Sequence, residues 1–141
     1  MTVPSSLYRQ SLALTTDLYE LTMAGALHKA GLAGREAVFH LYFRNNPFDG
    51  GYTVAAGLEH AIDVLSHFRF SEEDLAYLST LRGNDASALF DDAFLEHLRQ
   101  MRFSCDIDAV PEGTVVFPPE PLLRVTGPID QCQLIEPILL N

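Results

Sequence analysis

FSCDIDAVPEGTVVFPPEPLLRVT, residues 103–126, is where the texture of the chain changes. Three short runs of β character, 103–110, 114–117 and 122–126, are separated by the turn sequences Pro111-Glu112-Gly113 and Pro118-Pro119-Glu120-Pro121. Most of what precedes this stretch is helical in period. Val54, Leu58, Ala61, Ile62 and Leu65 follow an amphipathic helix pattern, and Ser71 with Asp74 three positions on reads as the cap of a helix carrying Leu75, Leu78 and Leu81. Another helix starts at Asp91 or Asp92 and carries Phe94, Leu95, Leu98 and Met101. The exception is 36–44, which alternates like a strand, with Phe39, Leu41 and Phe43 on one face and Val38, His40, Tyr42 and Arg44 on the other. Helices and strands in separate blocks make an α+β fold, with the later strands forming a small sandwich-like or barrel-like element.

The last stretch, 129–141, reads as a buried helix carrying Leu134, Ile135, Ile138, Leu139 and Leu140, with Pro137 either bending it or marking its true start. So apolar an ending reads as a chain cut inside a fold; a helix docked on the chain's own core is the other reading. At 141 residues the chain fits one domain, or one domain and a small satellite. Its 48% hydrophobic and 20% charged residues exclude a disordered chain. A formal charge of -10, from nine Lys plus Arg against nineteen Asp plus Glu, argues against a nucleic-acid or anionic-membrane surface. No apolar run is long enough to span a bilayer, and residues 1–14 lack a signal-peptide core, so a cytoplasmic protein is expected. Cys105 and Cys132 have neither CxxC nor histidine companions, which implies no zinc site and no disulfide framework.

Thr15-Thr16-Asp17-Leu18-Tyr19-Glu20-Leu21-Thr22-Met23 places an aromatic ring and carboxylates in the opening turn of a first helix, which ends near Gly31 with His28 and Lys29 in its last turn. Unpaired N–H groups and a partial positive charge at a helix N-terminus suit an anionic or carbonyl-bearing ring, on which Tyr19 can stack. The same residues suit a purely structural role: Asp17 and Glu20 as a capping box, and Tyr19, Met23 and Leu27 as core. Arg44 ends a strand before the Gly-containing loop 45–51 and can meet a phosphate, or a surface carboxylate. His60 and His67, seven apart on one helix, would need outside help to hold a metal. There is no G-x-x-x-x-G-K, G-x-G-x-x-G or G-x-S-x-G, so neither a self-contained nucleotide loop nor a nucleophile elbow is present. The second half could suggest a lipoyl-carrier-like barrel, but the single lysine, Lys29, lies in the first helix rather than at a strand turn.

Taken together, residues 16–23, Tyr42-Phe43-Arg44, 50–59 (GGYTVAAGLE), 110–117 (VPEGTVVF) and 121–128 (PLLRVTGP) resemble, in order, the nicotinate phosphoribosyltransferases, a type II phosphoribosyltransferase family. The resemblance implies an N-terminal extension at 1–13, the family's N-terminal α/β domain at 14–128, and at 129–141 the start of a helix leading to a catalytic barrel domain that is missing here. It implies an enzyme that makes nicotinate mononucleotide from nicotinate and phosphoribosyl pyrophosphate, coupled to ATP hydrolysis and assisted by Mg2+, in NAD biosynthesis. It also implies a homodimer whose active site is shared between subunits. By the same resemblance Tyr19 stacks on the pyridine ring, Asp17 helps position it and Arg44 contacts phosphate. No catalytic residue, metal ligand or bound cofactor is expected in this part alone. Two readings follow: an enzyme fragment inactive without the barrel, or a non-catalytic binding or oligomerisation module that kept the fold.

Overall fold

A computed structural model describes residues 11–140. The element order is α1 (Leu18–Lys29), β1 (Glu36–Tyr42), a single 3-10 turn (Pro47–Asp49), β2 (Thr53–Val54), α2 (Leu58–Ser66), α3 (Glu72–Thr80), α4 (Asp92–Gln100), β3 (Asp106–Ala109), β4 (Val115–Val116), β5 (Pro121–Pro128) and α5 (Ile129–Leu140). The fold is α+β, as expected. Residues 1–10 of the expected N-terminal extension, and Asn141, lie outside the described residues.

The β segments form two units, an antiparallel sheet in the order β1-β5-β3 and a two-stranded ribbon of β2 with β4. Register explains the alternation seen in the sequence. Phe39 pairs with Val125, which pairs with Ile107, and Leu41 pairs with Leu123, which pairs with Ala109. These rows share the face that joins the core. On the opposite face His40 aligns with Arg124 and Asp108, where Arg124 Nη2 donates to Asp108 Oδ2 at 2.7 Å. That pair is well exposed, so it adds little stability.

α5 lies against β1, β5 and α1. Its side chains Leu134 and Ile135 are fully buried in the chain's own core, each worth about 1.5–3 kcal/mol of transfer free energy. Helix α5 is thus docked on the chain's own core, while Leu140 at its end stays exposed. The helix begins at Ile129, so Pro137 lies inside it and does not mark its start. Two local readings hold in full. Ser71 and Asp74 form a reciprocal capping box, and Asp91 caps α4 by accepting from the Phe94 N–H at 2.8 Å. Two others are corrected. Asp17 occupies the N-cap of α1 in extended conformation but makes no side-chain cap bond, while Tyr19 and Met23 are about half exposed and do not join the core. Val54 belongs to the β2 ribbon, because Thr53 and Val54 pair with Val116 and Val115 before the helix begins.

The ribbon joins two sequence runs that look separate. The Ala55 N–H donates to the Thr114 carbonyl and the Gly113 N–H to the Ala55 carbonyl, both at 2.9 Å, which brings the Pro111-Glu112-Gly113 turn beside the start of α2. There the Glu112 carboxylate accepts from the Gly57 N–H at 2.9 Å and from the Glu59 N–H at 3.5 Å. A carboxylate from a distant turn thus caps α2, whose own N-cap, Gly57, has a φ of 100° that only glycine adopts without strain. Glu112→Ala should lower unfolding free energy by about 1 kcal/mol in urea titration, and Glu112→Gln, which keeps an acceptor, by less.

Candidate functional site

The opening turn of α1 is built by one buried side and one open side. Leu21 and Ala24 face the core, and Glu20 is buried with them, whereas Asp17, Leu18 and Tyr19 face outward. Successive helical residues are about 100° apart, so burying Glu20 turns its neighbour Tyr19 to the surface. The Gln133 side-chain amide of α5 donates to Glu20 Oε2. Glu20 Oε1 and Thr16 Oγ1 are buried with no partner at hydrogen-bond distance among the described residues. Burial pushes the Glu20 carboxyl above the usual carboxylate range. The Tyr19 phenol is in turn pushed up to about 12, chiefly by the adjacent Glu20 carboxylate, then by burial and by the Glu136 and Asp17 charges. Tyr19 is thus a neutral ring, half exposed, at a helix N-terminus whose N-cap side chain makes no cap bond.

Arg44 stands elsewhere. It lines a cleft of about 330 Å³ along β1 and α5, together with Phe39, Tyr42, Glu136 and Leu139. The structure brings Asp17 and Tyr19 to one turn and sets Arg44 in this cleft, whose lining contains neither of them. Glu136 connects the two places, since it lines the cleft and its charge bears on Tyr19 and Glu20.

Sequence reasoning missed Gln133 and Glu136, one turn apart on α5, and read Glu20 as a local cap; burial against a distant helix leaves no short-range signature. It also missed a polar clamp behind the site. His97 Nε2 lies 2.6 Å from Asp130 Oδ2, Asp130 is buried, and the His28 ring sits 4.5 Å from that of His97, which links α1, α4 and α5. His60 and His67 do not form a pair on one helix, since α2 ends at Ser66 and His67 follows it, its Nδ1 2.8 Å from the Asp63 carbonyl oxygen. Cys105 and Cys132 are free thiols with their sulfurs 4.0 Å apart, and burial pushes Cys105 up to about 12, which suppresses the reactive thiolate. Among the described residues no three His, Cys, Asp or Glu side chains converge as metal ligands, and no helix is long and apolar enough to cross a membrane.

Residues 14–141 match the family described as the nicotinate phosphoribosyltransferase (NAPRTase) N-terminal domain. The chain is 44% identical over 130 residues to nicotinate phosphoribosyltransferase 2 of Arabidopsis thaliana, covering 91% of this chain and 22% of that protein. It is 45% identical over 129 residues to nicotinate phosphoribosyltransferase pncB2 of Mycobacterium tuberculosis, covering 92% of this chain and 26% of that protein. The crystal structure of human nicotinic acid phosphoribosyltransferase superposes with a TM-score of 0.78 at 42% identity, over 89% of this chain and 24% of the human one. The chain thus spans about a quarter of the length of these relatives. By the family match over residues 14–141 it belongs to the nicotinate phosphoribosyltransferase N-terminal domain family.

Proposed function

We infer that this chain is the N-terminal part of an enzyme that joins nicotinate to phosphoribosyl pyrophosphate, giving nicotinate mononucleotide and pyrophosphate with ATP hydrolysis, in NAD biosynthesis. The observation that carries the reading is the family match over 14–141, with Tyr19 presented outward on the first turn of α1. In this reading Tyr19 stacks on the pyridine ring, Asp17 helps orient it and Arg44 meets phosphate of the ribosyl substrate. A neutral phenol suits the stacking role, since it adds no negative charge against an anionic ring. The remaining walls of the site come from the rest of the polypeptide and, in a homodimer, from the neighbouring subunit. The described residues do not gather a ligand set for Mg2+, so no step in this reading runs through a metal held by this chain. The protein acts in the cytoplasm.

Charge stabilisation around an oxocarbenium-like ribose and a departing pyrophosphate takes several cations or donors, and Arg44 with one aromatic ring in a separate place does not supply them. The 141-residue chain alone should therefore show no turnover with nicotinate, phosphoribosyl pyrophosphate and ATP, whereas the full-length enzyme turns over. Product formation by the isolated chain, followed by chromatography of nicotinate mononucleotide, would overturn the fragment reading.

A further inference from the structure

We propose that Glu20 is a positioning residue for Tyr19: the Gln133 amide, by holding the buried Glu20 carboxylate, fixes the rotation of the first turn of α1 and so the direction of the Tyr19 ring. The proposal rests on the ring-stacking reading of Tyr19 given above.

Three observations carry it. First, Glu20 is completely buried, yet among the described residues one of its carboxylate oxygens has no partner at hydrogen-bond distance, and neither has the buried Thr16 hydroxyl one turn earlier. An arrangement that leaves buried polar atoms unsatisfied costs the fold stability, and a leucine of similar volume would be better tolerated there. Stability does not explain a glutamate at this position. Second, the rest of the first turn is weakly held. Asp17 makes no side-chain cap bond, the buried apolar residues of α1 are Leu21 and the small Ala24, and the packing of His28 on Phe94 and His97 lies two turns further on. Among the described residues, Glu20 to Gln133 is the side-chain hydrogen bond that ties this turn to α5. Third, Glu20 directly follows Tyr19 in the first turn of α1, and its carboxylate is the neighbour that most raises the Tyr19 phenol. The charged and titratable groups around Glu20 are Asp17 and Tyr19 on α1 and Glu136 on α5, so no cation competes with the Gln133 amide for its carboxylate.

The test is made in the full-length enzyme with Glu20→Leu, Gln133→Leu, the double variant and Glu20→Gln. Each leucine variant should raise the KM for nicotinate about tenfold, the double variant by no more than either single one, and the KM for phosphoribosyl pyrophosphate should stay within about twofold. The double variant should melt no lower than the parent, which separates positioning from loss of fold. Glu20→Gln, which keeps a hydrogen-bonding partner for Gln133, should restore the nicotinate KM to within about threefold. An unchanged nicotinate KM in Gln133→Leu, when Tyr19→Ala raises it, overturns the positioning role and leaves ring stacking intact. An unchanged KM in both overturns the stacking reading beneath it. If Glu20→Leu alone fails to fold, Gln133→Leu and Glu20→Gln still decide the matter.

Discussion

Tyr19→Ala in the full-length enzyme raises the KM for nicotinate about 5- to 150-fold and leaves the melting temperature unchanged within error; this is the expected result if the ring stacks on substrate. The range follows from a stacking contribution of about 1–3 kcal/mol. Stability is spared because the ring is half exposed and lies outside the core, and surface substitutions of that kind stay within about 0.5 kcal/mol. The effect should fall mainly on KM, since a stacking contact made equally in the ground and transition states is uniform binding. Tyr19→Phe keeps the stacking face and removes the hydroxyl beside Glu20, so it should lie close to the parent. Steady-state kinetics with nicotinate varied at saturating phosphoribosyl pyrophosphate checks both variants, and unchanged KM and kcat in Tyr19→Ala would remove the residue from the site.

What the sequence made legible here were interactions that close within a few residues. The capping box of Ser71 and Asp74, the Asp91 cap and the alternating face of β1 depend on spacing of three or two, and each is present. Asp17 and Glu20 have the same three-residue spacing as Ser71 and Asp74 and end differently. Glu20 is drawn inward by Gln133, a partner 113 positions away, and no local pattern announces it. Glu112 fails to announce itself for the same reason, reading as a turn residue while its carboxylate reaches α2 across the ribbon. Val54 continues a helical pattern by side chain but is claimed by strand pairing with Val115. For the site, composition and motif order brought Asp17, Tyr19 and Arg44 forward. The structure adds that the first two share a turn while Arg44 lines a separate cleft, with Glu136 between the two places.

That division makes the relative placement of α1, α4 and α5 the structural requirement of the site, and Asp130 is where they are tied. Its carboxylate is buried, lies 2.6 Å from His97 of α4 through Oδ2 and accepts the Gln131 N–H at 2.8 Å through Oδ1, while the His28 ring of α1 packs tilted against that of His97 at 4.5 Å. Asp130→Ala leaves the Gln131 N–H and the His97 ring nitrogen without this partner. A hydrogen bond to a buried carboxylate contributes about 1.5–3 kcal/mol, and the His97 side chain, 32% exposed, can be rehydrated when its partner is removed. The expected loss is therefore about 2–3 kcal/mol, a fall of roughly 10 °C in melting temperature for a domain of this size. Asp130→Asn keeps one acceptor, for the Gln131 N–H, and sets its amide NH2 against the His97 ring nitrogen, so it should lose less than Asp130→Ala, about 1–2 kcal/mol. In a double-mutant cycle, His97→Ala and Asp130→Ala should together cost at least 1 kcal/mol less than the sum of the single variants, as for residues in one hydrogen-bonded network. Additive losses, measured by urea unfolding, would mean that α4 and α5 are held by apolar contact alone and that the clamp does not set the geometry on which Tyr19 depends.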